Sequence, residues 1–552
     1  MDAISYNLAR RALEKPTPSY SALVAKDGST VWAEDASGKT IASGEAGVDD
    51  ASVIQSVIDS LQEYEFSDHK GCFATVMLRG DFILKKKITI TKSYIRFSGD
   101  AKIYVNIPND FAFEVFNGSE EDAYPCWICF ENLFFHDDST EGSNLFNFRY
   151  SSNWQIKRCS ISSFKTVLQL ERTWGNAQLM DNVSILNARP SDNEGAIKVV
   201  QPSNDKTNSV IFRDVVVSLT NQNAFVFEND ASDTWLIRFI NCYHENKGGF
   251  FIFKKDAHHF KIYNGCLCQE GSANAHTYFI KSYDNVILDF FTIDGVTTRG
   301  HIDVYSLRRS WLKSCEFGDR FAERFTLDLP IINIRHDATD LRIISPIFGQ
   351  FDKKQPMIYV NSANVLFIES VNLGNIHCGE YFLRTNPDNF SWAVYVRDCV
   401  IDSFAGNRSW TGSAYAFSLA NGHFILDKCK FHGISADTYY PYDSDTISNL
   451  ANIKIREVEA VSGWFTKNSG TATFSGDGTT TDFEIGAHGL VTTDPSKIAV
   501  KITPVSSDAI AASPCVGYVD PADNTKIRVK FASAPASGSN NVQIVWHAEV
   551  IS

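Results

Sequence analysis

The chain has 552 residues and a formal net charge of -14, with acidic and basic residues interspersed rather than gathered in blocks. A nucleic-acid backbone draws on clustered Lys and Arg, so that partner is excluded as the main ligand, while a local basic group leaves an anionic glycan open. No run of 18 or more apolar residues occurs, so no helix that inserts into a membrane is expected.

The opening MDAISYNLARRALEK has helical spacing at Ile4, Leu8 and Leu13, over a length too short to hold a helix alone in water. It reads either as a frayed terminus or as a helix that associates in an oligomer or docks on a larger particle. It lacks the apolar stretch and small-residue cleavage site of a signal peptide. A protein acting outside the cell would then leave by lysis or a dedicated machine. Residues 20–48 read as short β pieces with turns at Gly28, Gly38, Gly44 and Gly47. Asp49 or Asp50 is placed to cap a helix with Val53, Ile54, Val57, Ile58 and Leu61 on one face. Its expected task is to plug an open end of stacked strands. Alternating segments follow at Cys72 to Gly80, Phe82 to Ile90 and Tyr94 to Gly99.

From Ile128 to Ala460 one pattern recurs: alternating apolar residues, one or two polar ones, a small apolar residue and another alternating pair. Its register marks are Leu133, Cys159, Val183, Val215, Cys242, Cys266, Phe291, Cys315, Pro346, Val371, Cys399, Cys429 and Val458, at intervals of 24 to 32 residues. Short strands at such a period, with no helical pattern, predict a coiled parallel β-solenoid. Stacked coils bury a shared core and pair backbones about 4.8 Å apart. Inward positions then form columns of like residues, Cys159, Cys242, Cys266, Cys315, Cys399 and Cys429 among them. Most of the 12 cysteines lie inside strand patterns, so they are expected to be reduced core thiols. Asn132, Asn182, Asp214, Asn241 and Asp398 precede the marks, where the chain turns a corner, because Asn and Asp tolerate unusual backbone angles.

After Trp464 the pattern stops, and residues 465–552 alternate between strands and Ser, Gly, Thr and Asp turns. They predict a separate small β-sandwich or jelly roll. The expected organisation is an attachment or oligomerisation region at 1–48, a capping helix and solenoid at 49–464, and a trimerising or sugar-binding tip at 465–552.

The run GEAGVDDASVIQSVIDSL, followed by a strand ending in RG and then DFILKKKITI, resembles the entry to the pectate-lyase-like β-helix of phage and virus tailspikes. The resemblance spans about residues 30–460. The pieces FSGDGTTTDFEI, APASGSNNVQIVW and HAEV resemble C-terminal β-modules of viral tail proteins. The resemblance implies a right-handed parallel β-helix, usually a homotrimer, that binds or depolymerises host-surface polysaccharide.

Candidate chemistry sits on the solvent face of the strand after each corner. Aligned segments place Asn147, Gln169, Val226, Ile252, Phe279, Asp303, Asn333 and Tyr359 in one outward file. Arg149, Glu171, Glu228, Lys254, Lys281, Tyr305, Arg335 and Asn361 make the next. The densest polar group is Asp303, Tyr305, Asn333, Arg335 and Tyr359, with His301 and His336 nearby. In an eliminating lyase Tyr305 or a His would take the proton while Arg335 neutralises a sugar carboxylate. The alternative reading of the same residues is an exposed ion pair on a β-wall, of little energetic consequence. Catalytic candidates are thus Asp303, Tyr305 and Arg335, and substrate-binding candidates are Asn333, Tyr359, Glu228 and His336.

A hydrolase needs two carboxyls about 5 Å apart for retention or about 6.5–9.5 Å for inversion. Glu171 and Glu228, two coils apart at roughly 10 Å, are slightly too far. Asp181, Asp289, Glu369 and Asp427 form a further acidic set near the corners, with no two on adjacent coils. The NTD, GHG and RIK triplets of pectinolytic β-helix enzymes are absent. No metal or cofactor is expected: Cys242, Cys266 and Cys268 offer three sulfurs where a closed zinc site wants four ligands. Cys126-x-x-Cys129 lacks a second half, and His258-His259 reads as a loop pair. No phosphate-binding loop is present.

Together these readings predict a virion tailspike or receptor-binding protein, placed at the host surface alongside other tail or baseplate proteins. The alternatives are a free polysaccharide lyase or glycoside hydrolase, and a purely structural spike.

Overall fold

The computed structural model describes residues 20–551, except 67–68, 117–125, 174, 176, 192–193, 202–208, 221–222, 230–235, 247, 265–266, 270–277, 319–328, 349–354, 374–380, 403–413, 433–438, 443–447, 450–451 and 457–464. The expected helix at 4–14 lies outside the described residues. Two units divide the chain, Met1–Asp319 (with Glu323–Leu327) and Asp328–Ser552 (with Arg320–Ala322). The architecture is a right-handed parallel β-helix followed by a β-sandwich.

In the first unit, strands Ala22–Asp27, Thr30–Asp35 and Thr40–Glu45 form an antiparallel meander. Its first strand pairs in parallel with Val76–Arg79, so residues 22–45 extend the sheet of the first coil. The helix Asp50–Ser60 buries Val53, Ile54, Val57 and Ile58, the face expected from their spacing. Asp50 is fully buried and fixes the helix start. Its carboxylate accepts hydrogen bonds from the Gly47 and Ile83 backbone N–H groups at 2.7 and 2.6 Å and from Lys26 Nζ at 3.0 Å.

The coils then stack in parallel register. One inward column runs Phe97, Phe130, Ile156, Met180, Phe212, Phe239, Ile262, Ile293 and Leu312. A second runs Phe113, Phe146, Leu168, Ile197, Phe225, Phe251, Ile280 and Ile302. All of these side chains are buried. Phenylalanines on successive coils meet face to face, as in Phe212–Phe239 at 5.0 Å, and edge to face across the core, as in Phe225–Phe239 at 5.0 Å. Each buried Phe contributes about 1.5–3 kcal/mol through removal from water, and each aromatic pair about 0.5–1.5 kcal/mol more.

All five residues expected at corners, Asn132, Asn182, Asp214, Asn241 and Asp398, have left-handed backbone angles, φ between 51° and 56°. The cysteines that follow such corners, Cys159, Cys242, Cys315, Cys399 and Cys429, are buried free thiols. Each Sγ lies 3.5–3.9 Å from a carbonyl of the preceding coil. Burial pushes the Cys159 and Cys315 thiols up to about 12, which keeps them protonated and apolar in behaviour.

One register mark is corrected. The mark after the corner of coil 287–298 is Val296, not Phe291. Gly295 occupies the corner level with Asn264 and Ser314, donating its N–H to the Lys313 carbonyl as Asn264 donates to Asp294. The slip arose because Phe290 is also left-handed, φ 55°, at a second corner of the same coil. Phe291 instead stacks on Phe260 at 5.1 Å. Cys266 lies outside the described residues.

The second unit repeats the parallel stacking with a more aliphatic core, including Ile343, Ile368, Val396 and Leu426 in one column and Ile332, Ile358, Leu383 and Phe417 in another. It ends in two antiparallel three-stranded sheets. One contains Lys467–Gly476, Gly538–Val550 and Ile498–Pro504, the other Asp482–Ala487, Lys526–Phe531 and Cys515–Val519. Val529, Phe531, Val542 and Ile544 form one cluster between them, and Ile498, Ile527, Trp546 and Ala548 another. Gly470 leaves room for the Trp546 indole, since a Cβ there would come within 2.9 Å of the ring.

Candidate functional site

The outward positions follow from strand parity and are best traced one unit at a time. In the first unit the file is Glu114, Asn147, Gln169, Lys198, Val226, Ile252, Lys281 and Asp303, of which Val226 and Ile252, expected on the solvent face, are buried at 0% and 3% exposure. Two expectations are corrected. The coil strand Gly195–Gln201 was missing from the sequence alignment, and it contributes Lys198. Phe279 is buried at 1% exposure, whereas Lys281 takes the place in the file assigned to Phe279. Alternation alone could not fix this phase, because both faces of segment 278–282 carry bulky residues.

Asp303 is 7% exposed and lies in register with Lys281 of the preceding coil. The Lys281 ammonium sits 4.6 Å from the Tyr278 ring centroid and 5.9 Å from that of the exposed Tyr283, within cation–π reach. Tyr305 is half-buried, and its backbone N–H donates to Ser282 Oγ at 2.7 Å. His301 is buried. Glu228 lies elsewhere on the wall, paired with Lys254 and 4.0 Å from Lys198. Its strand is three coils before Asp303, about 14 Å along the axis. Glu228 therefore does not join the Asp303 group.

Several of the other acidic candidates are already paired. Glu171 receives a hydrogen bond from Arg149 Nε at 3.1 Å. Asp181 is held by Arg213 at 2.7 and 2.8 Å, and these bonds lower its carboxyl below the usual range. Asp181 belongs to a file of alternating charge, Glu131, Lys157, Asp181 and Arg213, one per coil. Glu369, Arg397 and Asp427 repeat that alternation in the second unit. Asp289 stands at the other corner, in register with His258 and Arg308, and accepts from Arg309 Nε at 2.8 Å. Among the described residues no group of three His, Cys, Asp or Glu is arranged to hold a metal.

In the second unit Asn333, Tyr359 and Arg384 stand in one outward file. Asn333 is 8% exposed, Tyr359 is half-buried, and burial raises the Tyr359 phenol above its ordinary value, with Arg384 opposing. Arg335 is half-buried, and His336 is exposed with Nδ1 2.9 Å from Asp337. Asn361 Oδ1 accepts from Asn386 Nδ2 at 2.6 Å and from Asn389 Nδ2 at 3.0 Å. Beside this amide cluster Phe390 and Trp392 project into solvent, 43% and 66% exposed, with ring centroids 5.3 Å apart. His423 lies edge-on to Phe390 at 5.5 Å.

No family model matches the chain, and no curated protein matches it. Solved structures similar to it include phage tailspikes. The tailspike of E. coli bacteriophage HK620, solved with a pentasaccharide, is 11% identical over 94% of this chain and 92% of its own, with a TM-score of 0.32. Tailspike gp49 of Pseudomonas phage LKA1 is 9% identical over 90% and 92%, with a TM-score of 0.39. The A-module of Azotobacter vinelandii mannuronan C-5 epimerase AlgE4 is 11% identical over 72% and 96%, at 0.33. Such scores give no residue-by-residue correspondence, and the fold rests on the strand register described above.

The sequence reading passed over Phe390 and Trp392. Trp392 has the parity of Val394 and Val396, which are buried, and so reads as an inward residue. An irregularity in pairing between Ser391 and Val394 reverses it. The aligned segments also stopped at Tyr359, one coil short of Arg384.

Proposed function

We propose that this protein is a spike-type adhesin whose β-helix wall binds host-surface polysaccharide, as a homotrimer at the tail of a virus particle. The observation that carries the binding reading is the exposed Trp392–Phe390 pair beside the Asn361, Asn386 and Asn389 amides. Aromatic faces pack against the C–H face of a sugar, while amides offer donors and acceptors to its hydroxyls. Tyr359 and Arg384 extend the same surface chemistry along the unit, and a guanidinium suits a sugar carboxylate. In the first unit Lys281, Tyr278 and Tyr283 form a second cationic-aromatic patch. If bound glycan is also cleaved, Asp303 and Tyr305 are the residues proposed to act in the first unit.

Binding to a panel of bacterial envelope polysaccharides, read by biolayer interferometry, tests the proposal. Trp392→Ala should weaken binding at least tenfold while leaving thermal unfolding unchanged. Unaltered affinity in that variant, or no polysaccharide bound by the parent, would discard the assignment.

A further inference from the structure

A second cluster lies on the first unit, away from the walls just described. Strand Phe134–Asp137 and strand Ser160–Ser162 are paired in parallel, with His136 directly opposite Ser162. That register places the Ser162 Oγ 2.7 Å from His136 Nδ1. On the other side of the ring, His136 Nε2 is 3.4 Å from Asp138 Oδ1. The geometry follows from the fold, because His136 and Asp138 are two apart at the end of one strand while Ser162 is their neighbour one coil on. Tyr104, edge-on at 6.0 Å, and Phe134, stacked at 6.5 Å, flank the imidazole.

His136 and Asp138 border an open cleft of about 620 Å³ whose lining also includes Ser139, Ser163, Asn187 and Arg189, and Ser162 is held beside it by its contact with His136. Asp137 also lines it, but its carboxylate is occupied by the backbone N–H groups of Ser139 and Ser143 at 3.0 and 2.8 Å. Arg189 Nη2 lies 3.7 Å from Asp137. The Ser139 hydroxyl, 3% exposed by residue, has no hydrogen-bond partner among the described residues.

We infer that Ser162, His136 and Asp138 form a nucleophile, base and positioning carboxylate that hydrolyse small acyl esters. A hydroxyl is a weak nucleophile until a base within hydrogen-bond reach takes its proton, and His136 Nδ1 is at that distance. Ser162 Oγ attacks the ester carbonyl and its proton passes to His136. The tetrahedral intermediate then collapses, the C–O bond to the alcohol breaks, and His136 returns the proton to the leaving oxygen. Water, deprotonated by the same nitrogen, releases the carboxylic acid from Ser162. Asp138 faces the imidazolium that forms in each half and stabilises its charge. The Asn187 amide and the Arg189 guanidinium line the cleft as donors for the developing oxyanion. The matching substituent on a polysaccharide is an O-acyl group such as acetyl; only that sugar context rests on the glycan reading above.

The full chain treated with a fluorophosphonate probe should gain one adduct, mapped by peptide mass spectrometry to Ser162. Ser162→Ala should abolish it, whereas Ser160→Ala, a change at an outward serine on the same strand, should leave it. Hydrolysis of 4-nitrophenyl acetate should fall at least tenfold in Ser162→Ala and in His136→Gln. Asp138→Asn should lower kcat for 4-nitrophenyl acetate while leaving KM unchanged, as loss of a group that steadies the imidazolium requires. An unlabelled Ser162 in the parent chain, or a Ser162→Ala ester rate within twofold of the parent, would overturn the inference.

Discussion

In the β-helix, burial is built by repetition: Phe212 rests on Phe239, which rests on Ile262, and every inward side chain meets its counterpart one coil away. In the C-terminal sandwich, burial is built by closure, as two small antiparallel sheets enclose two clusters centred on Phe531 and Trp546. Inward positions of the strand Lys467–Gly476 are mostly only half-buried, whereas the helix strand Thr166–Glu171 has four of its six residues buried. A stacked coil thus gains its core from neighbours on both sides, while a sandwich strand depends on the sheet opposite. Local damage should therefore spread differently in the two regions.

The largest effect expected from that difference comes from Phe239→Ala. It removes a side chain at 0% exposure that stacks on Phe212 and meets Phe225 and Phe251 edge-on. The loss should be about 3–5 kcal/mol, measured by denaturant unfolding of the helix signal. Hydrogen exchange should show reduced protection in the strands around Phe212 and Ile262 first. Uniform loss across the sandwich amides would show that the two regions unfold as one, and the contrast between repetition and closure would fail.

A smaller effect sharpens the comparison at the corners, which recur from coil to coil only in the helix. Asn182 has φ 53° and is exposed, so its Cβ carries the cost of a left-handed backbone with little packing in return. Asn182→Ala should destabilise by about 1–2 kcal/mol, and Asn182→Gly should be far milder because glycine adopts that angle without steric cost. Equal destabilisation by both would mean that the Asn side chain, not the backbone angle, is what the corner needs.

Those corners also explain what could be read from the chain alone. Asn132, Asn182, Asp214, Asn241 and Asp398 are residues whose chemistry announces a left-handed turn, and with the cysteines at other coils they fix this corner for most of the stack. In the coils around Phe291 the second corner carries Leu236, His259, Phe290 and Arg309, all left-handed at φ 45° to 58° and none with such chemistry. Register slipped at Phe291 for that reason. The candidate site was less legible still. His136, Asp138 and Ser162 are brought together by strand pairing between coils, and Trp392 faces solvent because pairing is irregular beside it. Neither fact has a signature in local spacing.

The smallest effect belongs to the sandwich and concerns pH. Glu549 is bonded by Lys467 at 3.0 Å and Lys501 at 3.3 Å, and these two ammonium groups hold its carboxyl down at about 2. In the unfolded chain it titrates near its ordinary value of about 4.3. A folded value below the unfolded one means the stabilisation is complete above about pH 4.3 and is lost as pH falls through the folded value near 2. Both lysines are largely exposed, 64% and 72%, so solvent screens the pairs and the change should be slight. Thermal unfolding of the parent and of Glu549→Gln should therefore converge between about pH 4.3 and 2. At about 1 M salt, where the screening length is about 3 Å, the difference should vanish at every pH. A pair on the β-helix such as Asp181–Arg213, bonded twice at 2.7 and 2.8 Å by a guanidinium with 48% side-chain exposure, should keep more of its contribution under the same salt. If both pairs respond alike, the stacked wall protects its charges no better than the sandwich does.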